Sequence, residues 1–223
     1  QVLGELRQLA EKHRFALYAE DAVMAEALGA ELIPVAAFGK KVDMVLALGG
    51  DGTVLYTSRA LHGSDVPIMG INLGSLGFLT SVGDTEIADA LDAIANKSCK
   101  ISKRLVAECR IFQNGNPVGE ECALNDVVLG WGASSRISTL KLSIDGEPVG
   151  SFMCDGMIVS TPTGSTGHAL SAGGPILHPG IGGFGINVIC PHTLGTRPLV
   201  VPDSSRIEIE VVNAAKELIL SID

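Results

Sequence analysis

The chain has few aromatic residues, no paired cysteines and no long apolar run. Its 223 residues include 2 tyrosines, 1 tryptophan and 6 phenylalanines, so few side chains are available to stack on single-stranded nucleic acid. The formal net charge of −9 also disfavours binding to a polyphosphate backbone. No apolar stretch approaches the length of a membrane span. We therefore predict that neither nucleic acid nor a membrane is a partner.

The cysteines are odd in number and none belongs to a CxxC pair, which argues against a disulfide framework and a structural zinc site. They are Cys99, Cys109, Cys122, Cys154 and Cys190. Reduced thiols favour a cytoplasmic location, and the N-terminal segment has no signal-peptide pattern. The first residue is Gln1 rather than methionine, so we expect the chain to be a fragment of a longer protein.

Hydrophobic residues make up 46% of the chain and charged residues 18%, which is typical of a folded globular protein. Up to residue 98, helical periodicity alternates with short apolar runs, a pattern that predicts an α/β domain with a parallel sheet. The predicted helices span 2–14, 20–29, 53–61 and 85–96, and the predicted strands span 15–19, 42–48 and 66–71.

From residue 99 to residue 223 the helical periodicity fades, and short runs with β-branched residues recur between turns. This pattern predicts an all-β, β-sandwich-like second domain. The predicted strands span 101–112, 122–130, 137–144, 156–161, 186–190 and 206–212, with turns at Asn114-Gly115, at Asp145-Gly146 and in the glycine-rich stretch 180–185.

A glycine turn, Gly49-Gly50-Asp51-Gly52-Thr53, lies where a predicted strand gives way to a helix. Such a turn can bring backbone N–H groups and a helix N-terminus close to a phosphate, so Gly49, Gly50, Gly52 and Thr53 are predicted to bind phosphate. The turn has neither a Walker lysine nor the GxGxxG spacing. Its aspartate suits a general base or a ligand of Mg²⁺. The alternative is that Asp51 only caps the helix.

Three further segments have the composition of ligand loops. Gly70–Leu79 repeats the strand-then-turn form, although a tight turn alone would explain its glycines. Asp155-Gly156 precedes the hydroxyl-rich stretch 160–168, and hydroxyl and N–H groups suit a sugar or phosphate. Asn125-Asp126 interrupts an apolar strand, and these side chains need polar partners from the backbone or from a ligand.

Together these segments resemble the NAD kinase family, whose pattern combines GGDGT, GINxGxLGFLT, an Asn-Asp or Asn-Glu pair, DG with STPTGSTAY, SAGGP and PHxLxxRP. Here six matching stretches occur in the same order across nearly the whole chain. They are Gly49–Leu55, Gly70–Thr80, Asn125-Asp126, Asp155–His168, Ser171–Pro175 and Pro191–Pro198.

The resemblance implies transfer of the γ-phosphoryl group of ATP, with a divalent metal cation such as Mg²⁺, to the 2′-hydroxyl of the adenosine ribose of NAD. Asp51 would be the catalytic base, and the protein would form a homodimer or homotetramer. The NAD-binding set implied is Asp51, Gly52, Asn125, Asp126, Arg136, Asp155, Thr166, Gly167, His168, Ala169, Leu170 and Ser171.

The chain departs from the family pattern in three places. His168 stands where the family has a tyrosine, which suggests a modified ligand wall that can titrate near neutral pH. The family's first strand and its C-terminal end are absent from the sequence, which again suggests a fragment.

Two other functions stay open on the sequence alone. One is a lipid or sugar kinase of the GGDGT superfamily, and the other is a non-catalytic NAD(P)-binding regulator. The phosphoryl donor (ATP, another triphosphate or polyphosphate) and the acceptor (NAD or NADH) are also undecided by the residues themselves.

Overall fold

A computed structural model describes residues 2–74, 77–131, 137–214 and 218–223. The chain divides into two compact units, Gln1–Ser102 and Lys103–Asp223. No helix in the described ranges is both long and apolar enough to cross a membrane.

The first unit alternates helices with short strands. The α-helices are α1 (Val2–His13), α2 (Ala22–Leu28), α3 (Phe38–Lys41), α4 (Asp51–Ala60) and α5 (Ile87–Ala95), with 3₁₀ turns at Val35–Ala37 and Asp84–Glu86. The strands are β1 (Tyr18–Ala19), β2 (Glu31–Leu32), β3 (Val45–Gly49), β4 (Ile68–Asn72) and β5 (Val82–Gly83).

Local sequence determines where α2 begins and ends. The Asp21 side chain accepts hydrogen bonds from the backbone N–H groups of Val23 and Met24, at 2.9 and 3.0 Å, which is the usual bonding of an N-cap. Gly29 follows the helix at φ 65°, and glycine adopts this left-handed conformation without steric cost. Gly29, the last residue of the predicted helix 20–29, is thus the C-cap of α2.

All strand pairs in the first unit are parallel: β1 pairs with β2, and β3, β4 and β5 form a second sheet in that order. A core of Leu6, Leu28, Ile71, Ile87 and Leu91 packs α1, α2 and α5 against the second sheet. The predicted α/β domain with a parallel sheet is confirmed. Gly49 is in register with Asn72, so the loops that follow β3 and β4 begin side by side.

The second unit consists mostly of antiparallel strands. They are β6 (Ala107–Gln113), β7 (Asn116–Ala123), β8 (Asp126–Trp131), β9 (Ser138–Ile144), β10 (Glu147–Cys154), β11 (Gly156–Ser160), β12 (Gly183–Ile189), β13 (Leu199–Pro202), β14 (Ile207–Ala214) and β15 (Leu218–Ile222). A 3₁₀ turn (Gly164–Thr166) and the short helix α6 (His168–Ser171) follow β11.

These strands form a five-stranded sheet (β13-β12-β11-β8-β15), a three-stranded sheet (β10-β9-β14) and the β6–β7 hairpin. Leu140, Leu142 and Cys154 of the three-stranded sheet pack in one core with Met157 and Ile186 of the five-stranded sheet. Two sheets that share a core in this way are a β-sandwich, so the predicted second fold is confirmed.

Both predicted dipeptide turns join hairpins. Asn114-Gly115 has φ 51° and 79°, and Asp145-Gly146 has φ 54° and 85°, the paired positive values of a two-residue turn that matches strand twist.

The prediction was wrong in four places within the second unit. The predicted strand 101–112 begins too early, because β6 begins at Ala107. The predicted strand 122–130 is interrupted, because β7 ends at Ala123 and β8 begins at Asp126. The glycine-rich stretch 180–185 is not a turn throughout, since β12 begins at Gly183. The strands β10, β13 and β15 and most of β7 were not predicted.

Candidate active site

The first glycine loop connects β3 to α4 at the carboxyl end of the parallel sheet. A side chain at Gly49 would collide with the Thr53 hydroxyl, so glycine is required there by packing. At Gly50 and Gly52, by contrast, an added Cβ would meet nothing within 4 Å. Both of these residues are exposed. The described part of the protein therefore gives no steric reason for glycine at these two positions, and the open space suits the close approach of a ligand.

The Asp51 side chain binds the second loop and does not cap its own helix. Its Oδ2 accepts a hydrogen bond from Phe78 N at 2.9 Å, and its Oδ1 accepts one from Leu79 N at 2.9 Å. The N-cap of α4 is Gly50, which makes no side-chain cap bond, so the interpretation of Asp51 as a helix cap is wrong. A side chain at Gly77 would collide with the Asp51 carboxylate, which explains one glycine of the second loop.

The second loop is also ordered by Asn72, which is buried. Its Oδ1 accepts a hydrogen bond from Gly74 N at 2.8 Å, and its Nδ2 donates to the Thr80 hydroxyl at 3.2 Å. Ser75 and Leu76 of this loop lie outside the described residues. The interpretation of the loop as a tight turn accounts for its start, while the bonds from Phe78 and Leu79 tie its end to Asp51.

Two cavities of the first unit are separate from these loops. One, of about 410 Å³, is lined mainly by apolar residues that include Leu6, Ala19, Val45 and Leu91. The other, of about 570 Å³, is lined by residues around Gly39 and Asp65. Among the described residues that line them, none belongs to the glycine loop 49–53.

In the second unit, Asn125 and Asp126 occupy the corner between β7 and β8. The Asp223 carboxylate accepts hydrogen bonds from three consecutive backbone N–H groups there. Those of Leu124 and Asn125 reach Oδ2 at 2.9 Å each, and that of Asp126 reaches Oδ1 at 3.0 Å. Backbone bonds thus hold the corner, and the predicted polar pair marks a break between strands rather than the interior of one.

Asp126 has a strongly altered acidity. Its pKa is raised from 3.8 to about 6, mainly by burial and secondly by the neighbouring Asp223 carboxylate, while His168 acts in the opposite direction. The structure therefore brings two residues of the predicted NAD-binding set, Asp126 and His168, close enough to interact electrostatically, although they are far apart in the chain.

The hydroxyl-rich stretch divides into a buried half and an exposed half. Thr161, Thr163 and Ser165 are buried. The Ser165 hydroxyl donates to Pro162 O at 2.7 Å and accepts from Leu177 N at 2.9 Å. The Thr161 and Ser165 hydroxyls therefore stabilise the loop itself, whereas the Thr163 hydroxyl has no hydrogen-bond partner among the described residues.

The exposed half coincides with the implied NAD-binding loop. Gly167, His168, Leu170 and Ser171 are exposed, and Thr166 is half-buried. Ala169 is 1% exposed, and its carbonyl accepts a hydrogen bond from Gly174 N at 2.9 Å, so a ligand contact through Ala169 would require this segment to move.

Asp155 lies between β10 and β11, half-buried and beside Cys190. The hydrogen bond between the Cys190 thiol and the Asp155 carboxylate raises the pKa of that thiol, and the negative charge of Asp155 raises it further. Asp155 thus has a polar partner within the protein. Arg136, the remaining member of the predicted set, lies outside the described residues.

Across the part of the chain that the structure describes, no group of three or more His, Cys, Asp or Glu side chains is placed to hold a metal ion.

Two residues that hold the corner at 124–126 in place were not predicted from the sequence. Asp223 is 97 positions or more from its bonding partners. Thr161 lies 37 positions from Leu124, whose carbonyl accepts its hydroxyl bond. The hydroxyl-rich composition signalled Thr161 only as part of a loop, and a single aspartate at the end of a strand gives no local signal.

Comparison with known proteins identifies relatives over both units. The family model of the ATP-NAD kinase N-terminal domain matches residues 10–99, and that of the C-terminal domain matches residues 124–223. An NAD kinase of Geobacter metallireducens is 38% identical over 222 residues, which cover 100% of this chain and 78% of that protein. An NAD kinase of Azoarcus sp. is 44% identical over 174 residues, 78% of this chain and 59% of that protein.

Several of the curated relatives are longer than the matched region, and the chain spans about 59% to 65% of their length.

Solved structures agree with this comparison. A yeast NADH kinase complexed with NADH superposes with a TM-score of 0.86 at 27% identity, covering 98% of this chain and 71% of that one. An NAD kinase from Archaeoglobus fulgidus in complex with ATP has a TM-score of 0.70 at 27% identity, covering 93% of this chain and 82% of that one. With both of its units matched in sequence and in fold, the chain belongs to the NAD kinase family.

Proposed function

We propose that this protein is an NAD kinase, a phosphotransferase that makes NADP from NAD and ATP. The 2′-hydroxyl oxygen of the adenosine ribose attacks the γ-phosphorus of ATP. The bond from that phosphorus to the bridging β–γ oxygen breaks, and ADP leaves. The hydroxyl proton passes to the Asp51 carboxylate.

The observation that carries this proposal is the setting of Asp51. Its carboxylate stands between two glycine loops at the carboxyl ends of β3 and β4, where ligands bind in open α/β sheets. Each oxygen accepts one backbone N–H bond and has a second lone pair available for a proton. The open positions Gly50 and Gly52 on either side leave room for phosphate groups.

Polar groups of the second unit that are at least partly accessible supply the contacts for binding NAD. Asn125 and Asp126 offer amide and carboxylate groups for the adenine-ribose half, and Asp155 with Thr166–Ser171 offers contacts for ribose and the nicotinamide half. The solved relatives in complex with NADH and with ATP support this pairing of substrates. Arg136 stays a proposed contact on the resemblance alone.

A divalent cation such as Mg²⁺ would enter bound to the phosphates of ATP, and when bound it would neutralise charge that develops on the transferred group. We assign no carboxylate of the protein to it. The family resemblance further supports a homodimer or homotetramer, and the free thiols support a cytoplasmic location.

The test is an assay of NADP formation from NAD, ATP and Mg²⁺, read with an NADP-specific dehydrogenase. We expect turnover by the wild-type protein, with NADH and polyphosphate run in parallel as alternative acceptor and donor. Asp51→Asn should lower kcat by about 10²- to 10⁴-fold, the range that proton transfer by a positioned base contributes.

The Asp51→Asn change would also weaken a loop contact, because the NH₂ group of the new amide would face one of the N–H groups of Phe78 and Leu79. NAD affinity and Tm are therefore measured for the same variant. A loss of kcat with NAD affinity preserved supports a base, whereas equal losses of both would reduce Asp51 to a loop anchor. Asp65→Asn, the same change at an exposed aspartate of the first unit, should leave all three quantities unchanged.

A further inference from the structure

The corner at residues 124–126 is held by Asp223 through an unusual set of bonds. One carboxylate accepts the N–H groups of Leu124, Asn125 and Asp126, at 2.9, 2.9 and 3.0 Å. Among side chains, only a carboxylate combines this acceptor capacity with the absence of any donor. Hydrogen bonds to an ionised acceptor are also stronger than those between neutral groups.

The carbonyl groups of the same corner are held from another segment. The Thr161 hydroxyl donates to Leu124 O at 2.5 Å, and Thr161 N donates to Asn125 O at 2.8 Å. Thr161 is fully buried, and its hydroxyl oxygen also accepts from Thr163 N and Gly164 N, at 3.1 and 3.2 Å. A side chain at Gly164 would collide with the Asn125 carbonyl.

As a result, three N–H groups and two carbonyl groups of the corner have fixed partners, and Asp126 is also in register with Ser160 in the sheet. The backbone is therefore held on both sides. The half-buried side chains of Asn125 and Asp126 then leave the corner in set directions.

This arrangement has an electrostatic cost. Asp223 lies close enough to Asp126 for the two carboxylates to repel each other. The same geometry fixes this charge in place, because Asp223 Oδ1 accepts the backbone N–H of Asp126 itself at 3.0 Å.

We propose that Asp223 is a positioning residue for NAD recognition, which fixes the backbone at Leu124–Asp126 so that the Asn125 and Asp126 side chains are held in place to bind the dinucleotide. The part that concerns NAD rests on the proposed function. The positioning itself concerns the protein alone and is measured without ligand.

The ligand-free test compares the wild-type protein with Asp223→Asn by NMR. We expect hydrogen exchange at the amides of residues 124–126 to become at least about tenfold faster in the variant, since each loses a charged acceptor. Removing the Asp223 charge should also lower the pKa of Asp126, while His168, the other charged group facing Asp126, is unchanged. Unchanged exchange together with an unchanged pKa would overturn the positioning role.

Asp145→Asn is the matched control, because Asp145 also accepts a backbone N–H bond, from Arg206 N at 2.7 Å, in an exposed turn of the same unit. It should affect neither the exchange at 124–126 nor the pKa of Asp126. If Asp223→Asn does not fold, Asp223→Glu keeps the charge and displaces the carboxylate by one methylene group. Because the charge is kept, amide exchange alone then decides, with faster exchange supporting the role and wild-type exchange overturning it.

The ligand arm measures NAD by titration and steady-state kinetics. We expect Asp223→Asn to raise Kd and KM for NAD by about tenfold or more while kcat changes less, because Asp223 does not touch the reacting atoms. Wild-type affinity in a variant whose amides exchange faster would overturn the link to NAD. If the wild-type protein itself binds no NAD, the proposed function fails, and the ligand-free arm still decides whether Asp223 positions the corner.

Discussion

At the scale of single residues, the surroundings of Asp126 change its pKa strongly. Its pKa of about 6 arises from burial first and from the charge of Asp223 second, with His168 opposing both. Because the pKa of the folded state lies above the reference value of 3.8, the folded protein binds the proton more tightly than the unfolded chain does. The stability that this proton contributes is fully present below about pH 4 and is lost as the pH rises through about 6.

Asp126→Asn should remove this pH dependence, since an amide resembles the protonated carboxyl group. We expect the free energy of unfolding of the variant, relative to the wild-type protein, to rise by about 1–2 kcal/mol between pH 4 and about pH 7 and to stay constant above, a value reduced to allow for partial exposure. Urea unfolding at several pH values measures it. Asp203→Asn, at an exposed position, should follow the wild-type curve, and parallel curves for wild type and Asp126→Asn would contradict the assignment.

At the scale of elements, the site around Asp51 depends on the first turn of α4. Gly52 is the second residue of this helix and is exposed, and glycine inside a helix is less favourable than alanine by about 1 kcal/mol. An added Cβ there would meet nothing within 4 Å. The helix therefore has a glycine that neither its own stability nor its packing requires.

Gly52→Ala should consequently stabilise the protein by up to about 1 kcal/mol and lower kcat/KM by tenfold or more, because its Cβ would occupy the space proposed for substrate. Thermal unfolding and the NADP assay measure the two effects. The matched control is Gly4→Ala in α1, which is also exposed with nothing within 4 Å and should gain stability without losing activity. Full activity of Gly52→Ala would mean that no ligand approaches this turn.

At the scale of the whole molecule, apolar packing stabilises the fold without the disulfides on which small secreted proteins depend. All five cysteines are free, and two of them, Cys122 and Cys154, are buried as small apolar side chains. Burial raises the pKa of the Cys154 thiol, which keeps it protonated and unreactive. Each unit has its own apolar core.

We therefore expect dithiothreitol to leave Tm unchanged for protein purified with or without reductant. The reason is that no disulfide contributes to stability, whereas the removal of a native disulfide typically costs about 2–5 kcal/mol. Differential scanning calorimetry with and without reductant measures the shift. A lower Tm in reductant would show that a pair of these thiols is oxidised in the native protein.

Features that depend on neighbouring residues could be predicted from the sequence. Apolar periodicity placed four of the five α-helices of the first unit within a few residues and missed the short α3. Asn-Gly and Asp-Gly marked two hairpins, because the conformations that these dipeptides favour are local. The order of the motifs also identified the family, and it identified the segments that form the site around Asp51 and the corner at 124–126.

The bonds that join those segments depend on long-range packing and are visible in the structure alone. The Asp51 carboxylate meets N–H groups 27 and 28 positions away, and Asp223 meets the corner from 97 to 99 positions away. The tertiary structure also decided which hydroxyls of 160–171 are buried and which are exposed. Such bonds follow from strand order and register, which long-range packing sets, and no local pattern of residues encodes which donor a distant carboxylate will find.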